Sequence, residues 1–182
     1  MSLRVKIFQH DREYLFEAQH SCSVCVCVCV CVCVCVCTCA WAVDMDGGPI
    51  LQTFSPMGRP DDARFALWFA EKCIRFYENY FDSKFPLPKF DLLNIPDVNI
   101  GAMENWGCAT FPEHSLLVDP RRGTHWHRWY VAMVVAHEVA HQWLGNLAGL
   151  ASWNELSLIE ALATWGAWRT GKNTYVCEMV CL

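Results

Sequence analysis

The stretch Val134–Gly145, VVAHEVAHQWLG, contains two histidines four positions apart. On an α-helix, residues i and i+4 share one face, so the imidazoles of His137 and His141 can hold one Zn²⁺ between them. Glu138 is turned about 100° from His137, which places its carboxylate beside the metal. That position suits a general base acting on a water held at the metal. The alternative is a core helix with two hydrogen-bonded histidines.

A catalytic zinc site needs a third protein ligand and one open position for water. Glu160 follows His141 by nineteen positions, on a second helix predicted from Asn154 as N-cap to Trp168. If this helix folds back antiparallel, the Glu160 carboxylate reaches the metal. Glu155 competes as third ligand, although its place at the helix start favours a solvated side chain. Two histidines and one glutamate are the ligand set of thermolysin-like peptidases.

Upstream, residues 101–107 read GAMENWG. Gly101 and Ala102 allow a substrate backbone to approach closely, and an exposed strand edge can add an extended peptide by main-chain pairing. Glu104 would offer an anionic partner to a substrate ammonium group. The alternative is a solvated glutamate at the end of a strand.

The rest of the globular part predicts an α+β fold. The run RFALWFAEKCIRFYENYF, residues 64–81, places apolar residues at helical spacing, and prolines at 86 and 88 end it. Short strands are predicted at Ile50–Phe54 and Lys89–Ile95, with extended segments at 99–107 and 110–118. The longest apolar helix is predicted at Trp129–Leu144, with Gly145 and Asn146 as its stop.

Composition excludes some classes of function. The net charge is −5, so no basic surface points to nucleic acid. Nine of the thirteen cysteines lie between Cys22 and Cys39, and the other four show no paired CxxC spacing. A disulfide framework is therefore not expected, and a reducing compartment is favoured.

The Cys-Val alternation inside residues 1–42 has three interpretations. It has the period of a strand, with thiols on one face that could also bind metal. Val24–Val43 is long and apolar enough to span a membrane as an anchor. A translated TG dinucleotide repeat would produce the same alternation with no protein function. We leave residues 1–42 and 169–182 unassigned and place a partial peptidase catalytic domain at 43–168.

Together these motifs resemble the gluzincin aminopeptidases, the family of membrane alanyl and puromycin-sensitive aminopeptidases. The similarity rests on GAMENWG at 101–107, HEVAHQWLGNL at 137–147, WNEL at 153–156 and Glu160, in the order and spacing of the family. The flanking segments PLPKFDLLNIPDVNI and SLLVDPRR are also similar, and the puromycin-sensitive branch is the nearest.

The resemblance implies a role for each matching residue. His137, His141 and Glu160 would bind one Zn²⁺, and Glu138 would activate water for attack on the first peptide bond. Glu104 would hold the free α-amine of a peptide substrate. Gly101, Ala102, Met103 and Asn105 would line the substrate backbone and first side-chain pocket. The implied fold is a thermolysin-like catalytic domain, with zinc-binding helices beside the edge of a mixed sheet.

The sequence also departs from the family pattern. Ile159 and Ala161 flank Glu160, where the family usually has asparagine and glycine. The family's intermediate-stabilising tyrosine lies well downstream of the third ligand, and Tyr175 is too close to Glu160 to be that group. We therefore expect a fragment of the catalytic domain, without the N-terminal β-domain and the helical C-terminal domain.

Three functions remain open at this point. The first is a zinc aminopeptidase acting on peptides with a free N-terminus. The second is a truncated product that binds zinc or peptide without catalysis, and the third is a thermolysin-like endopeptidase, which an amine-anchoring Glu104 disfavours. The resemblance implies a cytoplasmic protein, unless residues 24–43 anchor it in a membrane.

Overall fold

The computed structural model describes residues 3–9, 12–18, 37–96 and 101–175. Most of the Cys-Val tract, most of the candidate anchor at 24–43 and the tail at 176–182 lie outside these ranges. Among the described residues, no helix has both the length and the apolar character needed to cross a bilayer.

The described chain contains two sheets. Strands β1 (Leu3–Gln9) and β2 (Arg12–Ala18) pair antiparallel with each other. The second sheet has the order β3-β4-β5-β6, formed by Cys37–Asp44, Ile50–Pro56, Lys89–Asn94 and Cys108–Phe111. β3 and β4 are antiparallel, whereas β4, β5 and β6 are parallel, so the predicted mixed sheet is confirmed.

Helix α1 (Arg64–Phe81) has the bounds that its apolar spacing predicts. It connects the parallel strands β4 and β5, which need a crossover rather than a tight turn. Its buried side chains recur every three or four residues and include Phe69, Cys73 and Tyr77. The helix ends at Asp82, which adopts a left-handed conformation, and Glu78 accepts a hydrogen bond from the Phe85 amide at 3.0 Å.

Helix α3 (His125–Ala140) begins four residues earlier than the predicted start at Trp129. Thr124 is the cause, because its hydroxyl accepts a hydrogen bond from the His127 amide at 3.1 Å and caps the helix. The helix also ends earlier, at Ala140, and residues 141–148 form tight turns in which Gly145 has φ of +121°. The predicted stop at Gly145 thus marks the turn and not the last helical residue.

The extended segment predicted at 110–118 is wrong beyond Phe111. Pro112 precedes a short helix α2 (Glu113–Leu116), and Pro112 itself has the extended backbone of an N-cap residue. The segment predicted at 99–107 forms one antiparallel bridge, between Met103 and Thr110, within its described part. This bridge places residues 101–105 along the outer side of β6, the last strand of the sheet.

Helix α4 (Leu156–Thr170) differs from the predicted helix at its start. Ser152, and not Asn154, supplies the capping side chain, which accepts from the Asn154 amide at 3.3 Å, and Trp153–Glu155 form a 3-10 turn. α4 packs on α3 through small buried residues, and α3 packs on α1. Most of the large apolar side chains of α4 are exposed: Leu156, Leu158, Leu162, Trp165 and Trp168.

Candidate metal centre and substrate site

The two histidines of α3 and its C-terminal turn face each other. The Nε2 atoms of His137 and His141 are 3.0 Å apart, and His141 is buried while His137 is partly exposed. His141 Nδ1 lies 2.9 Å from the Leu144 carbonyl, to which it donates a hydrogen bond. In the neutral ring this leaves Nε2, which faces His137, without a proton, and an unprotonated imidazole nitrogen is the atom that binds a metal.

Glu160 completes a group of three ligands. Its Oε2 lies 3.3 Å from His137 Nε2, and its Oε1 lies 3.7 Å from His141 Nε2. The ligand atoms of the three residues lie within 4.8 Å of one another. Glu155 does not join them, because its exposed carboxylate accepts a hydrogen bond from the Ala151 amide at 3.3 Å. The structure thus brings α4 to the histidine pair through Glu160.

The donor set suits a metal of the zinc type. Two imidazole nitrogens and one carboxylate form a set that binds Zn²⁺ readily. Burial and the neighbouring His141 lower the pKa of His137, although the Glu160 carboxylate opposes this by raising it. A lowered pKa favours the neutral imidazole that a metal requires.

Glu138 lies beside the three ligands and is 4% exposed. Its Oε2 has no hydrogen-bond partner within the part of the chain that the structure describes. Burial, together with the neighbouring charges of Glu104 and Glu160, raises its pKa to about 8. A buried carboxylate that is short of partners, next to two others, is typical of a site that holds a cation.

The segment 101–105 lies on the other side of Glu138. Glu104 is partly exposed, and its charge acts on both Glu138 and His137, which shows that its carboxylate lies near the site. Met103 exchanges two main-chain hydrogen bonds of 2.9 Å with Thr110. Asn105 has a local role, since its carbonyl accepts from the Cys108 amide and its Nδ2 lies 3.4 Å from Thr110 Oγ1.

Two residues that had no predicted role at the site contact this segment. Gln142 and Asn146 both donate side-chain hydrogen bonds to the main-chain carbonyl of Glu104, at 3.1 and 2.7 Å. No local pattern predicts this contact, because the partners are about forty positions apart in the chain. The histidine motif and the Glu104 segment are therefore tied together directly.

A cavity of about 310 Å³ opens beside Glu138. It connects the ligand His137 with the segment that begins at Gly101, and its wall is mostly apolar. The lining residues are Gly101, Ala102, Ser115, Tyr130, Met133, Val134, His137, Glu138, Thr164 and Ala167. The space is large enough for one amino-acid side chain next to the metal ligands.

Comparison with known proteins assigns a family to this arrangement. The family model described as "Peptidase family M1 domain" matches residues 65–180, which include the whole site. The chain belongs to peptidase family M1. Residues 65–180 make up more than half of the sequence, and they contain the Glu104 segment, both histidines and Glu160.

Relatives in the M1 family include named aminopeptidases. The chain is 43% identical over 118 residues to aminopeptidase M1-C of rice, covering 65% of this chain and 13% of that protein. It is 44% identical over 117 residues to the puromycin-sensitive aminopeptidase of Caenorhabditis elegans, covering 64% of this chain and 12% of that protein. It is 50% identical over 99 residues to endoplasmic reticulum aminopeptidase 2 of cattle, covering 54% of this chain and 10% of that protein. The matched part is thus a small share of each relative's length.

The two departures from the M1 pattern near Glu160 have different surroundings. Ile159 lies against the turn at Gly145, where a β-carbon on the glycine would be 3.4 Å from Ile159 Cγ2. Ala161 lies on the exposed face of α4, so its methyl group displaces no buried neighbour. The departure at 161 therefore leaves the buried contact between α3 and α4 intact.

Replacing Gly107 by alanine is expected to lower the free energy of unfolding by about 1–2 kcal/mol. Gly107 has φ of +72°, and an added β-carbon would lie 2.7 Å from Leu87 Cδ1. The matched control is Gly101→Ala, because nothing lies within 4 Å of a β-carbon there. Urea unfolding of both variants measures the difference, and equal midpoints would contradict the expectation.

Thr164 is expected to tune the metal affinity of His137. Its Oγ1 lies 3.4 Å from His137 Nδ1, so it can accept a hydrogen bond from Nδ1–H and leave Nε2 for the metal. Thr164→Val should weaken metal binding about 10-fold, whereas Thr164→Ser should retain the affinity of the parent chain. Competition for Co²⁺ with a coloured chelator measures both, and equal affinities for the two variants would argue against the contact.

Proposed function

We propose that this chain carries the metal-binding and N-terminus-binding part of a zinc aminopeptidase, within a partial thermolysin-like catalytic domain at residues 43–168. The proposal rests on the convergence of the ligand atoms of His137, His141 and Glu160. Asn146, in the turn that follows His141, holds the main chain of Glu104 beside them. Residues 1–42 and 169–182 have no assigned role in this proposal. The substrates would be peptides with a free N-terminus.

In this proposal His137, His141 and Glu160 hold one Zn²⁺. Bound zinc supplies Lewis-acid polarisation of the scissile carbonyl and lowers the pKa of water at the site. Glu138 accepts the proton of the attacking water at Oε2, the oxygen that makes no hydrogen bond to any described residue. It then returns that proton to the leaving amine, so that the carboxylate is regenerated.

Glu104 would select substrates by their terminus. A protonated α-amine placed at its carboxylate gains a charge-assisted hydrogen bond, whereas an acylated terminus does not. This supports exopeptidase over endopeptidase action, since an internal peptide bond presents no ammonium group. Gly101, Ala102 and Met103 would contact the substrate backbone and first side chain, and Asn105 would hold the turn that follows them.

The experiment that tests the proposal combines zinc analysis with aminoacyl reporters. We expect about one zinc per chain, removable by a chelator, and faster zinc-dependent release from a free aminoacyl reporter than from its N-acetylated form. Folded chain without stoichiometric zinc would overturn the proposal. Equal release from both reporters would favour an endopeptidase, and binding without release would favour a non-catalytic product.

The location of the chain is also a proposal. The puromycin-sensitive branch that the sequence resembles supports a cytoplasmic protein. Membrane anchoring through residues 24–43 is the alternative, and fractionation of cells that express the full chain distinguishes the two.

A further inference from the structure

The side-chain amide of Gln142 joins the end of α3 to the segment 101–107. Gln142 follows the ligand His141 directly and is 1% exposed. Its Nε2 donates to the carbonyl of Glu104 at 3.1 Å and to that of Glu138 at 3.3 Å, while its Oε1 accepts from the Gly107 amide at 3.0 Å. Both amide hydrogens and the amide oxygen are thus engaged, which determines the orientation of the side chain.

Asn146 adds a second donor to the same carbonyl. Its Nδ2 lies 2.7 Å from the main-chain oxygen of Glu104. Asn146 follows Gly145, whose left-handed φ reverses the chain after α3, and its own amide donates to the His141 carbonyl at 3.0 Å. The turn that follows the second histidine therefore carries a donor onto the residue whose carboxylate faces the site.

The main chain of Glu104 is held on both sides. On one side, Met103 is paired with Thr110 on β6. On the other, the Glu104 carbonyl accepts hydrogen bonds from the side chains of Gln142 and Asn146, which both lie in the turns that begin at His141. With its α-carbon fixed in this way, the position of the carboxylate depends only on its own side-chain rotamer.

We propose that Gln142 and Asn146 are positioning residues for recognition of the substrate N-terminus. They hold the main chain of Glu104 at a set distance from the metal ligands, so that an ammonium group and the first peptide carbonyl are received together. Positioning of this kind matters because small displacements of a binding group cost large factors in affinity and rate. The inference rests on the proposed function, and its ligands are primary ammonium groups on amino-acid derivatives.

The test uses the zinc-loaded full chain and a pair of probes without a scissile bond. Isothermal titration compares leucinol, which has a free amine, with N-acetyl-leucinol. We expect the parent chain to prefer leucinol, and we expect Asn146→Ala to reduce this preference roughly 3- to 10-fold, as for the loss of one buried hydrogen bond. Gln142→Met, which removes three contacts, should reduce the preference further. Zinc content should stay at the parent value in both variants.

Two reference variants separate this inference from the proposed function. Glu104→Gln removes the anionic group and should abolish the preference, while Asn79→Ala, at an exposed position of α1, should leave it unchanged. If Glu104→Gln keeps the preference, the proposed role of Glu104 fails, and this inference fails with it. If Glu104→Gln loses the preference but Asn146→Ala keeps it, only the positioning role is overturned.

A purely structural role gives a different result. In that case Asn146→Ala would lower the unfolding midpoint or the zinc content and leave the ratio of the two affinities at the parent value. Asn146→Ala leaves the Gln142 contacts in place, so it carries the test by itself if Gln142→Met does not fold.

Discussion

Replacing His137 by alanine is expected to weaken Zn²⁺ binding by more than about 100-fold and so to abolish stoichiometric zinc. The loss should exceed the 10- to 100-fold typical of residues that only support a ligand, because a three-ligand set becomes a pair. The His137 side chain is partly exposed, so its removal leaves the buried core of α3 in place. Equilibrium dialysis followed by metal analysis measures the change.

Matched controls make this result specific. His125→Ala removes a histidine from the first position of the same helix and should keep one zinc per chain. Glu160→Gln should lose zinc and Glu155→Gln should keep it, because the Glu160 carboxylate lies near the histidine nitrogens and the Glu155 carboxylate is held by the Ala151 amide. Zinc retained by Glu160→Gln and lost by Glu155→Gln would reverse the assignment of the third ligand.

Replacing Glu138 by glutamine is expected to stabilise the metal-free chain at pH 8. The pKa of Glu138 in the folded chain is raised to about 8 from an ordinary value of 4.5. A raised pKa means that folding favours the protonated acid, so stability is fully present below pH 4.5 and is lost as the pH rises through 8. At about 1.4 kcal/mol per pKa unit, the ionised carboxylate costs roughly 3–5 kcal/mol, a large part of a domain's stability.

Urea unfolding between pH 4.5 and pH 8.5 checks this second expectation. The parent chain should lose stability over that window, and Glu138→Gln should lose much less. Glu155→Gln serves as control, because its side chain is exposed and its removal should leave the pH dependence of the parent chain. The same pH dependence in parent chain and Glu138→Gln would contradict the argument, and saturating Zn²⁺ should flatten the curve of the parent chain.

The histidine pair and α1 could be predicted because their signals are local or periodic, whereas Glu160 was expected from its downstream helix and from the family resemblance. His137 and His141 lie four apart, and the apolar residues of 64–81 repeat at helical spacing. The bounds of α3 and α4 were less accurate because short side chains set them. Thr124 caps α3 itself and Ser152 caps the 3-10 turn before α4, and their contacts span only two or three residues.

The contacts that organise the site could not be predicted from one sequence. Gln142 looks like an ordinary buried glutamine until the chain brings Glu104 and Gly107 against it. The short helix α2 was missed for a similar reason, since a four-residue helix after Pro112 has no periodic signal. Tertiary packing decides both features, and local propensity carries little information about either.

The three candidate ligands come from two separate helices and the turn after the first, so a bound metal would also hold these elements together. Between His141 and Glu160 the backbone runs through exposed turns, and the first half of α4 has few buried side chains. In the proposed metal site, a cation shared by both ends would act as a reversible cross-link, because it binds only the folded chain in which the two ends meet. Part of the binding energy of such an ion would go into docking α4, so we expect a chelator to destabilise α4 before the rest of the described chain.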